Sequence, residues 1–278
     1  MDRQKIKELV KEKYSEIALQ ETETSCCSSG CCSTEVYNIM SEDYSQLDGY
    51  NSDADLGLGC GLPTEFARIE KGDTVLDLGS GAGNDCFIAL EETGENGKVI
   101  GVDFSETMLE KAKENAKKRG YTNISFLLGD IEDLPIEDNS IDVVISNCVL
   151  NLLPSKDKIF NEIFRVLKPD AHFCVSDVVI IGNLPDKIKE AAEMYVGCIS
   201  GAIQKADYLK EILRAGFSNI IVEKEKPIFI PDDILVKYLN SEELERFKID
   251  KPRIISITVT GEKTPSCDCC DGDCNSCS

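Results

Sequence analysis

The stretch Val75-Leu76-Asp77-Leu78-Gly79-Ser80-Gly81-Ala82-Gly83-Asn84-Asp85 decides the fold of this chain. An apolar run with an acid near its end gives way to three glycines at alternate positions, and an apolar helical pattern follows. Glycine lacks a Cβ atom, so the backbone can approach a ligand closely, and a helix N-terminus offers free N–H groups. The stretch therefore predicts a strand, a tight turn and the start of a helix around a bound ligand.

A second acid extends this pattern. The next predicted strand, residues 98–102, is followed by Asp103, which lies 20 positions after Gly83. An acid at about that distance binds a ribose hydroxyl in nucleotide-binding βαβ units. A dinucleotide-binding G-x-G-x-x-G pattern would require glycine at position 84, where the chain has Asn84. A Rossmann-type dehydrogenase is therefore the weaker alternative.

The G-x-G-x-G loop after Val75–Leu78, with an acid ending the second strand, resembles the class I S-adenosylmethionine-dependent methyltransferases. Gly129-Asp130-Ile131 and Asn147 lie in register further along and strengthen the resemblance. It implies a Rossmann-like α/β fold, with a mostly parallel seven-stranded sheet and helices on both faces. An N-terminal cap and a Cys-rich C-terminal tail would flank this core.

Length and composition bound the possible classes of protein. The chain has 278 residues, 42% of them hydrophobic, which suffices for one large α/β domain with appendages. No apolar stretch reaches the roughly 18 residues of a membrane helix, and the charged N-terminus lacks the apolar region of a signal peptide. We expect a soluble, cytoplasmic protein without a membrane partner.

The charge is strongly negative. Acidic residues number 51 against 30 basic ones, a formal net charge of −21. Such a surface repels phosphates, which argues against a nucleic acid substrate, and it also favours solubility. Nothing in the sequence requires more than a monomer.

The strand and helix pattern organises the rest of the chain. The predicted helices are residues 2–20, 105–119, 156–167, 186–199 and 205–217, and the later strands are residues 124–128, 141–146, 172–179, 219–223 and 254–260. Repeated strand–helix units imply a parallel sheet covered on both faces, with the last strand completing it as a hairpin edge. The Gly-rich turn at residues 57–63 is a candidate lid over the cofactor. Four parts result: residues 1–64 (helix, Cys-rich loop and lid), 65–225 (core), 226–264 (completing the sheet) and 265–278 (a tail expected to be disordered).

The resemblance assigns roles at the carboxyl ends of the strands, where an open parallel sheet binds its ligand. The glycine turn would face the methionine part of S-adenosylmethionine, and Asp103 would hold the ribose hydroxyls. Met108 would pack on the adenine, and Asp130 would bind its amine. The full set of predicted cofactor-binding residues is Asp77, Gly79, Gly81, Gly83, Asp103, Met108, Asp130, Ile131 and Asn147.

Fourteen cysteines are the unusual feature of the composition. In a reducing compartment, soft-metal binding or redox chemistry is a better explanation for them than a disulfide framework. Cys60, Cys148 and Cys198 lie on elements that can converge at the methyl-acceptor side, where a pyramidal set of three thiolates would hold trivalent arsenic. Each alone could equally be a small buried apolar residue, the role we predict for Cys86 and Cys174. The lone His172 is predicted to be structural.

Four motifs together resemble the arsenite methyltransferases. They are an N-terminal Cys-Cys pair (Cys26-Cys27 or Cys31-Cys32), Gly59-Cys60-Gly61, Asn147-Cys148-Val149-Leu150-Asn151-Leu152 and Gly197-Cys198-Ile199-Ser200-Gly201-Ala202. The resemblance covers about residues 35–225 and implies arsenite bound by Cys60, Cys148 and Cys198, with an N-terminal cysteine assisting. Two features depart from the pattern: the second Cys-Cys pair, and Asp170-Ala171 where glycines are usual.

The implied reaction uses glutathione or thioredoxin to deliver arsenite and to return arsenic to its trivalent state after each methyl transfer. Two alternatives stay open: a methyltransferase acting on a quinone, sterol or thiol, and a non-catalytic arsenic-binding protein. The tail, with five of the fourteen cysteines, either captures arsenite for the site or is a metal-scavenging extension.

Overall fold

The computed structural model describes residues 3–19, 42–190, 199 and 201–264. Its strands are β1 (Thr74–Leu78), β2 (Lys98–Asp103), β3 (Ile124–Leu128), β4 (Ile141–Asn147), β5 (Leu167–Ile181), β6 (Ser218–Ile228) and β7 (Arg253–Glu262). They form one seven-stranded sheet in the order β3-β2-β1-β4-β5-β7-β6. The strands from β3 to β5 are parallel, and β7 runs antiparallel to β5 and β6. The predicted mostly parallel sheet is confirmed.

Helices flank this sheet. They are α1 (Arg3–Leu19), α2 (Asn84–Thr93), α3 (Glu106–Arg119), α4 (Lys156–Val166), α5 (Asp186–Glu190), α6 (Lys205–Arg214), α7 (Asp232–Leu235) and α8 (Ser241–Asp250), with 3₁₀ turns at Pro63–Phe66 and Leu150–Leu152. In α3 the Ser105 hydroxyl accepts the Met108 N–H, and Gly120 ends the helix with φ of 74°. Because these helices follow strands in turn, the sheet is covered by the α/β crossovers that the sequence predicts.

Each face of the sheet has its own apolar core. Val75 of β1 belongs to a buried cluster with Phe87 of α2 and Leu109 of α3. Its neighbour Leu76 points the other way, into a cluster that contains Phe160 of α4 and Tyr208 of α6. This alternation places the end of β1 between two packed layers, which fixes the position of the glycine loop that follows.

The position of the last strand differs from the prediction. β7 lies between β5 and β6, so the expectation of a final strand at the edge is wrong and β6 is the edge strand. The burial of side chains explains the order, since β7 is almost wholly buried whereas β6 alternates between exposed and half-buried residues. Charged residues at 223–226 make β6 suitable for a sheet edge exposed to water.

Smaller differences concern the ends of elements. β5 begins at Leu167, ahead of the predicted residue 172, and Asp170 within it has φ of 65°. The later part of the helix predicted at residues 186–199 lies outside the described residues. In the described part of the chain, no helix is long and apolar enough to cross a membrane. The N-terminal helix α1 packs on α3 and on the turn Leu150–Leu152.

Candidate functional site

The glycine loop joins β1 to α2 through left-handed backbone conformations. Gly79, Gly81 and Gly83 have φ of 70°, 51° and 96°, a region that residues with a Cβ atom rarely occupy. A Cβ atom on Gly79 would lie 2.4 Å from Val149, whereas one on Gly81 would meet nothing within 4 Å. The loop is thus packed against the segment after β4 on one side and faces open space on the other.

Asp103 ends β2 beside this loop. Its carboxylate accepts the backbone N–H of Gly81 at 2.9 Å and that of Ser105 at 2.8 Å. Burial raises the pKa of Asp103, and the N–H donors of Ser105, Gly81 and Phe104 oppose that rise. Because a carboxylate offers about four acceptor positions and three N–H groups are directed at it, about one remains for a hydroxyl donor of a ligand.

A cleft opens in front of the loop. It is lined by Leu56, Leu58 and Gly59, by Tyr14 of α1 and by Cys148. Its wall carries the carboxylates of Asp55, Asp85 and Asp103 and, among the described residues, no lysine or arginine. Such a wall attracts a cation and repels the pyrophosphate of a dinucleotide. In this part of the cleft the charge favours a sulfonium over a pyrophosphate.

Asp85, in the first turn of α2, adds a specific polar group to this wall. Burial raises its pKa to about 6, although hydrogen bonds from Asn147 and Tyr44 lower it. One of its oxygens, Oδ1, is buried and makes no hydrogen bond to the part of the chain that the structure describes. A buried carboxylate oxygen of this kind fits the ammonium group of a methionine moiety.

A second cavity continues the cleft beneath α1. It shares Gly79 and Asp103 with the first and is also lined by Asp130 and Ile131. Here Lys7 of α1 bonds to Asp130 at 2.5 Å and to Glu132 at 2.7 Å. The N-terminal helix therefore covers the end of the cleft where the adenine is expected.

The predicted cofactor residues divide into two groups. Those that line the two connected cavities are Gly79, Gly81, Asp103, Met108, Asp130, Ile131 and Asn147. Asp77 lies beneath the loop, where it accepts the Cys86 thiol at 3.1 Å and where burial raises its pKa well above the usual range. Gly83 is the residue before α2. Direct contact of Asp77 or Gly83 with a cofactor stays a prediction.

Two of the predicted acceptor thiols belong to one buried cluster, and one of them lines the cleft. Cys60 and Cys148 are buried and belong to one apolar cluster. Both lie near the hydroxyl of Tyr208, whose pKa is raised by burial first, then by Asp177 and by the two thiols. The remaining predicted arsenic ligands, Cys198, Cys26, Cys27, Cys31 and Cys32, lie outside the described residues.

Cys148 has an unusual backbone. Its φ of 59° is left-handed, and its N–H donates to the Ser176 carbonyl at 2.8 Å. For a residue with a Cβ atom this conformation costs about 1–2 kcal/mol and persists where the surroundings impose it, often at functional sites. The chain thus turns sharply after β4, and Cys148 joins the wall of the cleft.

Several residues of this site were assigned no role in the sequence analysis. Tyr44 donates to the Gly61 carbonyl at 3.0 Å, and Ser256 of β7 donates to the Cys60 carbonyl at 2.6 Å. Asp85 ends the stretch that opens the sequence analysis, but its partners Asn147 and Tyr44 are remote in sequence. The spacing of residues therefore did not indicate its role. The predicted structural roles hold for His172, which bonds the Ala67 carbonyl, and for Cys174, which is buried in β5.

Comparisons with known proteins agree with this site. A family model described as a methyltransferase domain matches residues 69–216. An arsenite methyltransferase of Halobacterium salinarum is 42% identical over 251 residues, covering 83% of this chain and 62% of the relative. One of Aquipseudomonas alcaligenes is 36% identical, covering 69% of this chain and 58% of the relative. The chain thus spans about three fifths of the length of these two relatives.

A solved structure gives the same result. An arsenic(III) S-adenosylmethionine methyltransferase from Chlamydomonas reinhardtii is 34% identical, with a TM-score of 0.64, covering 75% of this chain and 68% of that one. The fold and the cleft together are those of a class I methyltransferase. The chain belongs to the methyltransferase-domain family and, within it, to the arsenite methyltransferases.

Proposed function

We propose that the protein transfers methyl groups from S-adenosylmethionine to trivalent arsenic held by cysteine thiolates, and so detoxifies arsenite. The observation that carries this proposal is the burial of Cys60 and Cys148 in one cluster, with Cys148 on the wall of an anionic cleft. Thiolates are soft ligands and prefer soft, thiophilic elements over hard cations. The arsenite methyltransferases among the relatives support the choice of arsenic.

Cys198 is the third thiolate of the proposal. The next residue, Ile199, is buried in the same apolar cluster as Cys60 and Cys148. One of the N-terminal cysteines, Cys26, Cys27, Cys31 or Cys32, would assist in binding or in redox recycling.

Arsenic enters by ligand exchange. Arsenite reacts with three thiols to give a trithiolate and three waters, and a glutathione conjugate would release three thiols instead. The methyl donor supplies an electrophilic methyl group on a sulfonium. An arsenic–carbon bond forms from the arsenic lone pair as the sulfur–carbon bond breaks, leaving S-adenosylhomocysteine. The three thiolates hold the nucleophile in one orientation, which supplies much of the rate gain, and no general base is required.

The arsenic product needs reduction. Methylation raises the formal state of arsenic from three to five, so two electrons must return before another round. Two thiols supply them and become a disulfide, which is the part we assign to glutathione or thioredoxin. We place this chemistry in the cytoplasm, since free thiols persist in a reducing compartment. We propose a monomer because one chain supplies Cys60, Cys148 and the cleft.

The cofactor contacts are proposed by position. Asp103 would hold the ribose hydroxyls, the loop of Gly79 and Gly81 would lie along the methionine part, and Met108 would face the adenine. Asp130 would bind the adenine amine, for which its pairing with Lys7 would have to loosen. These assignments are supported by the lining of the two connected cavities.

The test is a substrate comparison with the purified protein. It is incubated with labelled S-adenosylmethionine and either arsenite plus glutathione, glutathione alone, or a quinone. We expect labelled methylarsenicals only with arsenite. Label on the quinone or on glutathione alone would favour the small-molecule alternative, and arsenite binding without any transfer would favour sequestration.

A further inference from the structure

We infer that Asn147 is a positioning residue of the acceptor side, whose amide fixes the loop that carries Cys60. The inference rests on the proposed function for its consequence in catalysis. Asn147 is the last residue of β4 and directly precedes Cys148. It therefore stands between the two described thiols, joined to one by the chain and to the other by hydrogen bonds.

Protein groups engage both ends of the Asn147 amide. Its oxygen accepts the backbone N–H of Cys60 at 3.0 Å and that of Gly61 at 3.3 Å. Because both partners are donors, the oxygen must face this loop. Its nitrogen donates to the Gly61 carbonyl at 2.8 Å and to Asp85 at 3.2 Å, and it also contacts the Tyr44 hydroxyl. An amide has two acceptor positions and two N–H donors, so two partners fill the oxygen and three share the two N–H groups.

The glycines beside Cys60 are explained by the same contact. A Cβ atom on Gly59 would lie 2.8 Å from the Asn147 nitrogen and 3.0 Å from the Tyr44 hydroxyl. A Cβ atom on Gly61 would lie 2.5 Å from the Ser176 hydroxyl. The loop can approach Asn147 at the end of β4 and Ser176 within β5 this closely only when both flanking residues lack side chains.

The backbone of Cys60 is held from two sides. Asn147 accepts its N–H, and Ser256 of β7 donates to its carbonyl at 2.6 Å. A ligand that needs several thiolates at once is bound tightly only if the thiols are already placed together. Loss of the Asn147 amide should therefore weaken arsenite binding by freeing Cys60.

The test measures directly how well Cys60 is protected from alkylation. Asn147→Ala is alkylated with iodoacetamide, and each cysteine is followed by peptide mass spectrometry. We expect Cys60 to react about tenfold faster or more, as the loss of buried hydrogen bonds allows, while Cys86 and Cys174 stay protected. The affinity for arsenite should fall by a similar factor.

Two further variants make the test specific. Gly59→Ala leaves Asn147 intact but pushes the loop away from it, so it should expose Cys60 in the same way. Asn123→Ala is the matched control, since the Asn123 amide also ties down a loop, at the carbonyls of Gly94 and Gly97. It should leave the protection of Cys60 unchanged.

The outcomes separate cleanly. Unchanged protection of Cys60 in both Asn147→Ala and Gly59→Ala would overturn the inference. So would a tenfold loss of S-adenosylmethionine affinity in Asn147→Ala with Cys60 still protected, since the amide would then serve the cofactor. Failure of the wild-type protein to methylate arsenite would remove the proposed function, yet the alkylation result would still decide the role of Asn147.

Discussion

The cofactor side and the acceptor side of this cleft are built in different ways. On the cofactor side, the glycine loop and Asp103 belong to one β1-α2-β2 unit, and Asp103 reaches Gly81 across 22 positions. On the acceptor side, Cys60 comes before β1 and Cys148 after β4, and the bond from the Cys60 N–H to Asn147 spans 87 positions. The cofactor side is local in sequence, whereas the acceptor side exists only once the sheet has formed. Substitutions should therefore affect the two sides separately.

The largest effect is expected from the thiols. Cys148→Ala and Cys60→Ala should each lower arsenite methylation by more than about 100-fold, because a soft ligand is lost and positioning with it. Binding of S-adenosylmethionine, measured by calorimetry, should change by less than about threefold. Cys174→Ala is the control, a buried cysteine remote from the cleft, and should keep its activity. Retained methylation in both thiol variants would contradict the account.

The reverse pattern is expected from Asp103→Ala. Removal of a carboxylate that accepts charged hydrogen bonds should weaken S-adenosylmethionine binding by about 10- to 100-fold. Arsenite binding should persist, because Cys60 and Cys148 are held by other elements. Asp142→Ala is the control, since that carboxylate accepts the Thr74 N–H at 2.9 Å at the opposite end of β1. Equal loss of both ligands in Asp103→Ala would mean that the two sides are not separable.

A smaller effect is expected on the stability of the folded protein, through the carboxyl group of Asp177. Burial raises the pKa of Asp177 to about 7, although Lys156, the Val178 N–H and Tyr208 lower it. The folded protein then binds a proton more strongly than the unfolded one, so stability present at low pH is lost as pH rises from about 4 towards 7. Asp177→Asn should remove this loss. The free energy of unfolding should rise by on the order of 1–4 kcal/mol at pH 8.

The measurement is urea unfolding at pH 5 and pH 8. The two proteins should differ less at pH 5, and the advantage of Asp177→Asn over the wild type should grow towards pH 8. Asp177→Asn keeps an acceptor oxygen, and its amide nitrogen can donate to Tyr208, whose hydroxyl lies 3.3 Å from the carboxylate. A variant less stable than the wild type at both pH values would show that the carboxylate is charged and stabilising.

The smallest effect is expected at α1. Lys7 pairs with Asp130 and Glu132, but Asp130 is 43% exposed, so the pair should contribute about 1 kcal/mol or less. Lys7→Met should lower the melting temperature by only a few degrees, about 1–3 °C. The difference should shrink at high salt, where exposed charges are screened. A shift that does not depend on salt would assign the effect to packing of α1.

The sequence predicted the local features of this protein well. The glycine loop and Asp103 were found by spacing because both belong to one βαβ unit, and the thiols were found because each sits in a short motif. The contacts between these motifs could not be predicted from the sequence. Ser256 bonds Cys60 across 196 positions, and Lys7 bonds Asp130 across 123. Such pairs depend on the order of strands and on the packing of α1, which no local pattern records.

The same reason explains the misplaced last strand. Residues 254–260 were correctly predicted as a strand. Their neighbours in the sheet, however, depend on which of the last two strands can be exposed to water at the edge. The alternating charges of β6 and the full burial of β7 answer that question only when both are compared. Because β7 pairs with β5 and is not itself the solvent-exposed edge, its Ser256 lies within reach of the Cys60 carbonyl.

The central claim is that Cys60 and Cys148 present arsenic to the cofactor cleft, and anomalous scattering at the arsenic edge tests it most directly. Crystals would be grown with S-adenosylhomocysteine and soaked in arsenite. The account predicts an arsenic peak bonded to the sulfurs of Cys60, Cys148 and Cys198 at the wall of the cleft. Arsenic found only elsewhere, with Cys60 and Cys148 free of it, would contradict the account.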